Sequence, residues 1–256
     1  MSRKSEADAS GMAFTRICGL AAIGFAVLLL SNGAILAPAG MPVVGAEPAE
    51  VRAFFSAKGG IVELASVSLP MIWVLLTLFG AGAVVTLRRS ERDRGEAWSL
   101  VGFAGLVLQN ATFAVIAAIR LALAATTTHD PGTAVLWAMH DALFTLNGTS
   151  LVLALVGLSI AGRRCGLIRP WHARLGLLAA ALLATSATLT PLVIDHTGPL
   201  GLIALTGWLM WVAWIATYGL VLIRRPPAGN RHLPAGDVRE GHAAAEVSAT
   251  PHEGAR

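Results

Sequence analysis

The sequence predicts an all-α, polytopic membrane bundle of six transmembrane helices with both termini in the cytoplasm, and three observations carry that expectation. Of 256 residues, 55% are hydrophobic and only 13% charged, and mean hydropathy is +0.67, which departs from the soluble norm in both directions at once. Apolar runs of about 20 residues, the length a helix needs to span roughly 30 Å of hydrocarbon, fall at 17–38, 61–87, 100–125, 133–162, 175–194 and 200–223. The runs are continuously apolar, without the period-2 alternation of a barrel strand. Finally, sixteen of the nineteen Lys and Arg residues fall on one side of that topology, which the positive-inside tendency makes cytoplasmic.

Residues 1–15 form the first cytoplasmic tail. Its opening "MSRKSEADAS" is polar and without apolar periodicity, and is expected to be disordered. The first span follows, and behind it "APAG" at Ala37–Gly40 has the small-x-small form of a signal-peptidase site. Cleavage there is one reading. An apolar stretch longer than a usual signal peptide favours a retained first helix.

An outer segment, Ala46–Gly60, carries Val51, Phe54 and Phe55 on one face with Arg52 and Lys58 elsewhere. Pro48 can open a helix there. Two readings stand, an interfacial helix on the outer leaflet and a loop helix packed on the bundle. In the second span Pro70 removes the N–H that would pair with the carbonyl of Ser66, and Pro191 does the same to Ala187 in the fifth. Hydroxyls of Ser66, Ser68, Thr188 and Thr190 lie at hand to repair these breaks. The connections around "TTTHDPGT" and "DHTGPLG" are short, so spans three and four, and five and six, should be antiparallel neighbours.

The chemistry concentrates in the third and fourth spans. At about 100° per residue, Trp137, His140, Asp141, Phe144, Thr145, Asn147 and Gly148 share one arc of the fourth helix. Gly102, Gly105, Gln109, Ile116 and Arg120 form one stripe of the third. Counting along the helices places Arg120 about 6 Å and Asp141 about 12 Å below the outer surface, with side chains that lean toward each other. Either charge alone in hydrocarbon costs several kcal/mol, so a direct Arg120–Asp141 ion pair is expected. Glu63, Asp195 and His196 fall at the same level, and no comparable cluster is expected at the inner half. In the sixth helix Trp208, Trp211, Trp214 and Tyr218 recur at i, i+3, i+6 and i+10, either as packing or as an aromatic wall for a cationic or electron-poor centre.

These residues point to two functions. One is a non-enzymatic protein that binds a small molecule or lipid in an outward-facing polar pocket, for sensing, transport or assembly. The other is an intramembrane enzyme acting on an isoprenoid or lipid, with Asp141 or Glu63 as general acid. An ionised Asp141 beside Arg120 would be a poor acid. No cofactor is called for: the His, Asp and Glu residues lack the spacing of a metal site, and His232, His242 and His252 recur every ten residues in 226–256, a tail expected to be disordered. Cys18 and Cys165 face a reducing compartment and predict no disulfide. The pI near 9.8 reflects arginines at span ends and anionic headgroups, and nucleic acid is not an expected partner. "NAT" at Asn110 and "NGT" at Asn147 are mid-span, out of reach of glycosylation. The sequence sets no oligomeric state.

The outer "AEVRAFFSA", the "DALF" of the fourth helix and "GLIRPWHARLGLLAA" before the fifth resemble a loose group of bacterial six-helix membrane proteins of unknown function. The loop before helix five in that group reads like L-P-R-W-L-G, where this chain has Ile168-Arg169-Pro170-Trp171. The resemblance implies a fold and a topology and no reaction.

Overall fold

The computed structural model describes residues 2–125, 132–190 and 200–225, with side chains from residue 13. Within them lie α1 (Ser2–Leu36), α2 (Pro48–Ser66), α3 (Leu69–Arg92), α4 (Trp98–Ala125), α5 (Gly132–Leu146), α6 (Gly148–Arg164), α7 (Pro170–Thr188) and α8 (Leu200–Arg224). Among the described residues there is no strand. The Asp195–His196 pair, Pro191 and the tail 226–256 lie outside the described residues. Residues 2–10, expected to be disordered, instead continue α1 toward the amino terminus. Ala, Glu, Lys and Arg are good helix formers there, and the apolar span behind them supplies a nucleus to extend.

Two expected spans are each two helices. The second breaks at Val67–Ser68, just ahead of Pro70. Ser66 Oγ turns back to Val62 O (2.7 Å) and Ser68 Oγ to Ala65 O (3.1 Å), so the local hydroxyls take up carbonyls around the break. Asn32 on α1 adds Nδ2 to Ala65 O at 2.7 Å. The outer segment 46–60 is therefore not a separate element: its helical part is the first two-thirds of α2. Of the two readings, the packed helix is correct, because Val51, Phe54 and Phe55 are buried. The fourth expected span breaks at Asn147, which stands between α5 and α6 with its N–H still on Leu143 O (2.9 Å).

Five stretches are long and apolar enough to cross a membrane: Ala13–Leu36, Pro48–Arg92, Trp98–Ala125, Gly132–Arg164 and Gly201–Arg224. This marks a multi-pass membrane protein. The 19-residue α7 is not among the five, although it packs between α6 and α8.

Helix contacts close a ring. α1 packs on α3, α3 on α4, α4 on α6, α6 on α7, α7 on α8, and α8 returns to α1. Close approach of α4 and α6 depends on glycine: a Cβ on Gly157 would sit 2.7 Å from Gly102 Cα, which is the small-residue contact used where lipid supplies no hydrophobic drive between helices. Inside the ring, Phe79 meets Trp214 and Tyr218 edge-on at 6.4 and 5.5 Å, and Phe25 meets Trp211 at 5.4 Å. Outside it, Ile17, Leu20, Val27, Leu64, Val67, Met71, Val74, Leu202 and Leu205 are exposed, an apolar surface suited to acyl chains.

A second apolar core is separate from the first. Leu36, Ala46, Val51, Phe54, Phe55, Val62, Ala65, Ile119, Leu123 and Trp137 pack together, drawn from the end of α1, the connection after it, α2, the end of α4 and α5. We call this layer the cap. It lies at the end of the bundle opposite the arginine-bearing ends of α3, α6 and α8.

Candidate functional site

The polar residues of the cap stand on a face of α5 that packs inward. Trp137, His140 and Phe144 recur at i, i+3 and i+7, so they stack along the helix. The imidazole of His140 lies parallel to Trp137 (4.3 Å, 10°) and to Phe144 (5.7 Å, 14°). Sandwiched this way, the ring has little rotational freedom. His140 and Asp141 are each 2% exposed.

The expected direct Arg120–Asp141 pair is not formed; His140 stands between the two. Arg120 Nε donates to His140 Nε2 at 3.0 Å, and His140 Nδ1 is 2.9 Å from Asp141 Oδ1. A guanidinium has only donors, so Nε2 must present its lone pair and Nδ1 must carry the proton given to the carboxylate. The arrangement is a charge relay of cation, neutral imidazole and anion. Sequence reasoning placed the two charges at compatible depths but missed that the intervening ring, on the same arc as Asp141, is the right length to bridge them.

Asp141 is held from two further directions. Gly45 N–H donates to its Oδ2 at 2.8 Å, and Thr145 Oγ1 bonds its backbone carbonyl at 2.8 Å. Gly45 has φ +82°, a conformation that side chains disfavour, so the connection after α1 can turn its amide onto the carboxylate. Nothing in the sequence pattern singled out Gly45. Phe144 also faces Arg120, with Cζ 5.7 Å from the ring centroid, within cation–π range.

Arg120 has a second neighbourhood. A cavity of about 30 Å³, room for one or two waters, lies beneath the α2–α3 break. Its polar lining is Arg120, Asn32 and Ser66, and the rest is apolar, including Leu29, Leu69, Ile72, Phe113 and Ile116. Among the described residues no carboxylate lies within ion-pair distance of the Arg120 guanidinium.

The other expected members divide. Glu63 is not brought to the site: it is exposed on α2, because burial of Val62 and Ala65 turns that position outward. Gln109 and Asn147 are both buried, with Oε1 and Oδ1 lacking partners among the described residues. Trp211 and Trp214 are buried in the bundle core and Trp208 packs beside them. None of the three lines the cavity, so the indoles serve packing and form no wall around Asp141.

The arginine-rich end of the bundle, where no comparable ionisable cluster is expected, also holds buried ionisable groups. Glu91, 1% exposed, takes the Ser99 amide (2.7 Å) and hydroxyl, capping the start of α4. His172 is buried with Nε2 on Trp214 O at 3.0 Å. At the surface there, Glu96 pairs with Arg94 (3.3 Å) and Arg164, while Arg94 also reaches Cys165 Sγ at 3.2 Å. The acidic residue ahead of a helix-opening Ser was the one available sequence signal for this cluster. Among the described residues no group of three or more His, Cys, Asp or Glu could hold a metal ion.

Fold and site together define a multi-pass helical membrane protein with a largely buried Arg–His–Asp relay within a packed cap. Comparison with protein-family models, curated proteins and solved structures gives no match.

Proposed function

We propose that the protein binds a small amphipathic molecule or lipid at the Arg120 cavity on the outer side of the cell membrane, in a receptor, transport or assembly role without catalysis. One observation carries the reading: a mostly buried guanidinium lines an apolar cavity, and its counter-charge is held a full imidazole away. Intramembrane charges default to functional sites because keeping them is costly, and a site that is apolar with a few convergent polar groups is the usual form of a ligand pocket. In this topology α7 completes a sixth crossing, and the arginine-rich ends face the cytoplasm. At about 30 Å³ the cavity is too small for an amphiphile as it stands, so binding requires the seam at the α2–α3 break to part, where the helix is already interrupted.

The test is native mass spectrometry of lipids that stay with the protein in nanodiscs. Wild type and Glu63→Gln should retain a common amphiphile that Arg120→Gln loses. The same lipid profile in all three would reject the reading.

A further inference from the structure

We infer that the ligand is an anionic amphiphile and that it is taken up together with one proton, which His140 accepts. This rests on the proposed binding role of the Arg120 cavity and names its ligand class and coupling. Charge balance supplies the argument. The empty relay is neutral, one guanidinium against one carboxylate with an uncharged ring between them. An anion alone would leave the buried site with a net negative charge, which is expensive away from water. An anion with a proton leaves it neutral.

In the relay the proton goes to His140 Nε2. The Asp141 oxygens each take one donor, from His140 Nδ1 and Gly45 N–H, and an imidazole nitrogen is ordinarily a stronger base than a carboxylate; among the described residues His140 Nε2 meets one donor, Arg120 Nε, which a proton there would displace. Protonation there turns an acceptor into a donor facing a donor, and the Arg120–His140 bond breaks. The imidazolium keeps Asp141 as its partner, and the released guanidinium turns to the anion in the cavity, where Asn32 and Ser66 are the further polar groups. The ring itself stays in place between Trp137 and Phe144.

No other described ionisable group competes for this role. On α4 the only one that faces His140 is Arg120, and the connection after α1 contributes the backbone of Gly45. Glu47, Glu50, Arg52, Lys58 and Glu63, at or on α2, are all exposed. α6 and α7, which also touch α5, carry Arg163, Arg164, His172 and Arg174 at their opposite ends. By linkage, a proton that promotes anion binding must itself be bound more tightly when the anion is present.

The experiment uses the full chain in phosphatidylcholine nanodiscs and probes whose charge does not change with pH: dodecanesulfonate, methanesulfonate and dodecyltrimethylammonium. Calorimetry in buffers of different ionisation enthalpy counts protons. Dodecanesulfonate should bind with up to one proton taken up and more tightly at pH 6 than at pH 8, by at most about tenfold per pH unit for one linked proton. His140→Gln should bind it with no proton uptake, and Arg120→Gln should not bind it. Dodecanesulfonate binding without protons or pH dependence overturns the coupling and leaves the amphiphile reading standing. Equal affinity for methanesulfonate identifies a free-anion site and overturns the amphiphile class, equal affinity for the ammonium probe overturns the anion, and failure of all three defeats the binding reading itself. Because the proton count is read on the unaltered protein, the test survives variants that fail to fold.

Discussion

The bundle core and the cap are both apolar, yet they are built differently. In the bundle, six helices close a ring and pack through large rings and glycine contacts, with Phe79, Trp214 and Tyr218 at the centre. The cap is made of half-helices and a connection, α2, α5, the end of α4 and residues 36–46. Polar contacts tie its elements to one another, the relay from Arg120 to Asp141 and the Gly45 amide, and at its seam with the bundle Asn32 of α1 reaches the Ala65 carbonyl of α2. Both helix breaks and the cavity fall along this seam. Two cores that pack separately leave imperfect packing where they meet, and the cavity there is lined by members of both, Val62 and Ala65 of the cap and Ile72 of the bundle.

Four substitutions would break or sharpen that contrast, in descending order of effect. Gly157→Leu forces side-chain atoms into the α4 backbone at Gly102; a loss at or above about 4 kcal/mol is expected, seen as absence of monodisperse protein after extraction. Asp141→Ala leaves a buried cation without its counter-charge and should cost about 3–5 kcal/mol. That loss should be confined to the cap: hydrogen exchange should rise over 48–66 and 132–146 while 150–164 stays protected. Uniform destabilisation would show that cap and bundle are one cooperative unit. Asn32→Ala removes one of two donors to the Ala65 carbonyl, the Ser68 hydroxyl remaining, worth about 0.5–1.5 kcal/mol and read as faster exchange on both sides of the α2–α3 break. Glu63→Gln, at an exposed position, should stay within about 0.5 kcal/mol in a thermal scan. A larger change there would mean that α2 has a partner on its outer face.

Much of this was legible in advance, for definable reasons. Continuous apolar runs require helices in lipid because backbone groups there have no other partner, and the Gly102 and Gly105 stripe of α4 does meet α6. The arc containing His140 and Asp141 follows from helix periodicity, and their burial from cost. What periodicity could not decide was the pairing. A wheel projection gives direction but not reach, so it matches Arg120 with the opposite charge although the nearer acceptor is the imidazole. Depth alone groups Glu63 with the site, and depth does not say which face of α2 turns inward. The tryptophan stripe was periodic enough to serve packing or a ligand, and only the neighbours Phe25 and Phe79 showed that it is core.

The sequence by itself determined that this chain is helical, membrane-borne and charged within its apolar spans, because hydrophobicity and helix period are local properties that each segment carries without its neighbours. The tertiary structure alone decided that α2 and α5 form a cap, that His140 joins Arg120 to Asp141, and that Gly45 closes the carboxylate. Those outcomes depend on contacts between residues as many as 96 positions apart, and such distances are fixed only when both cores have packed.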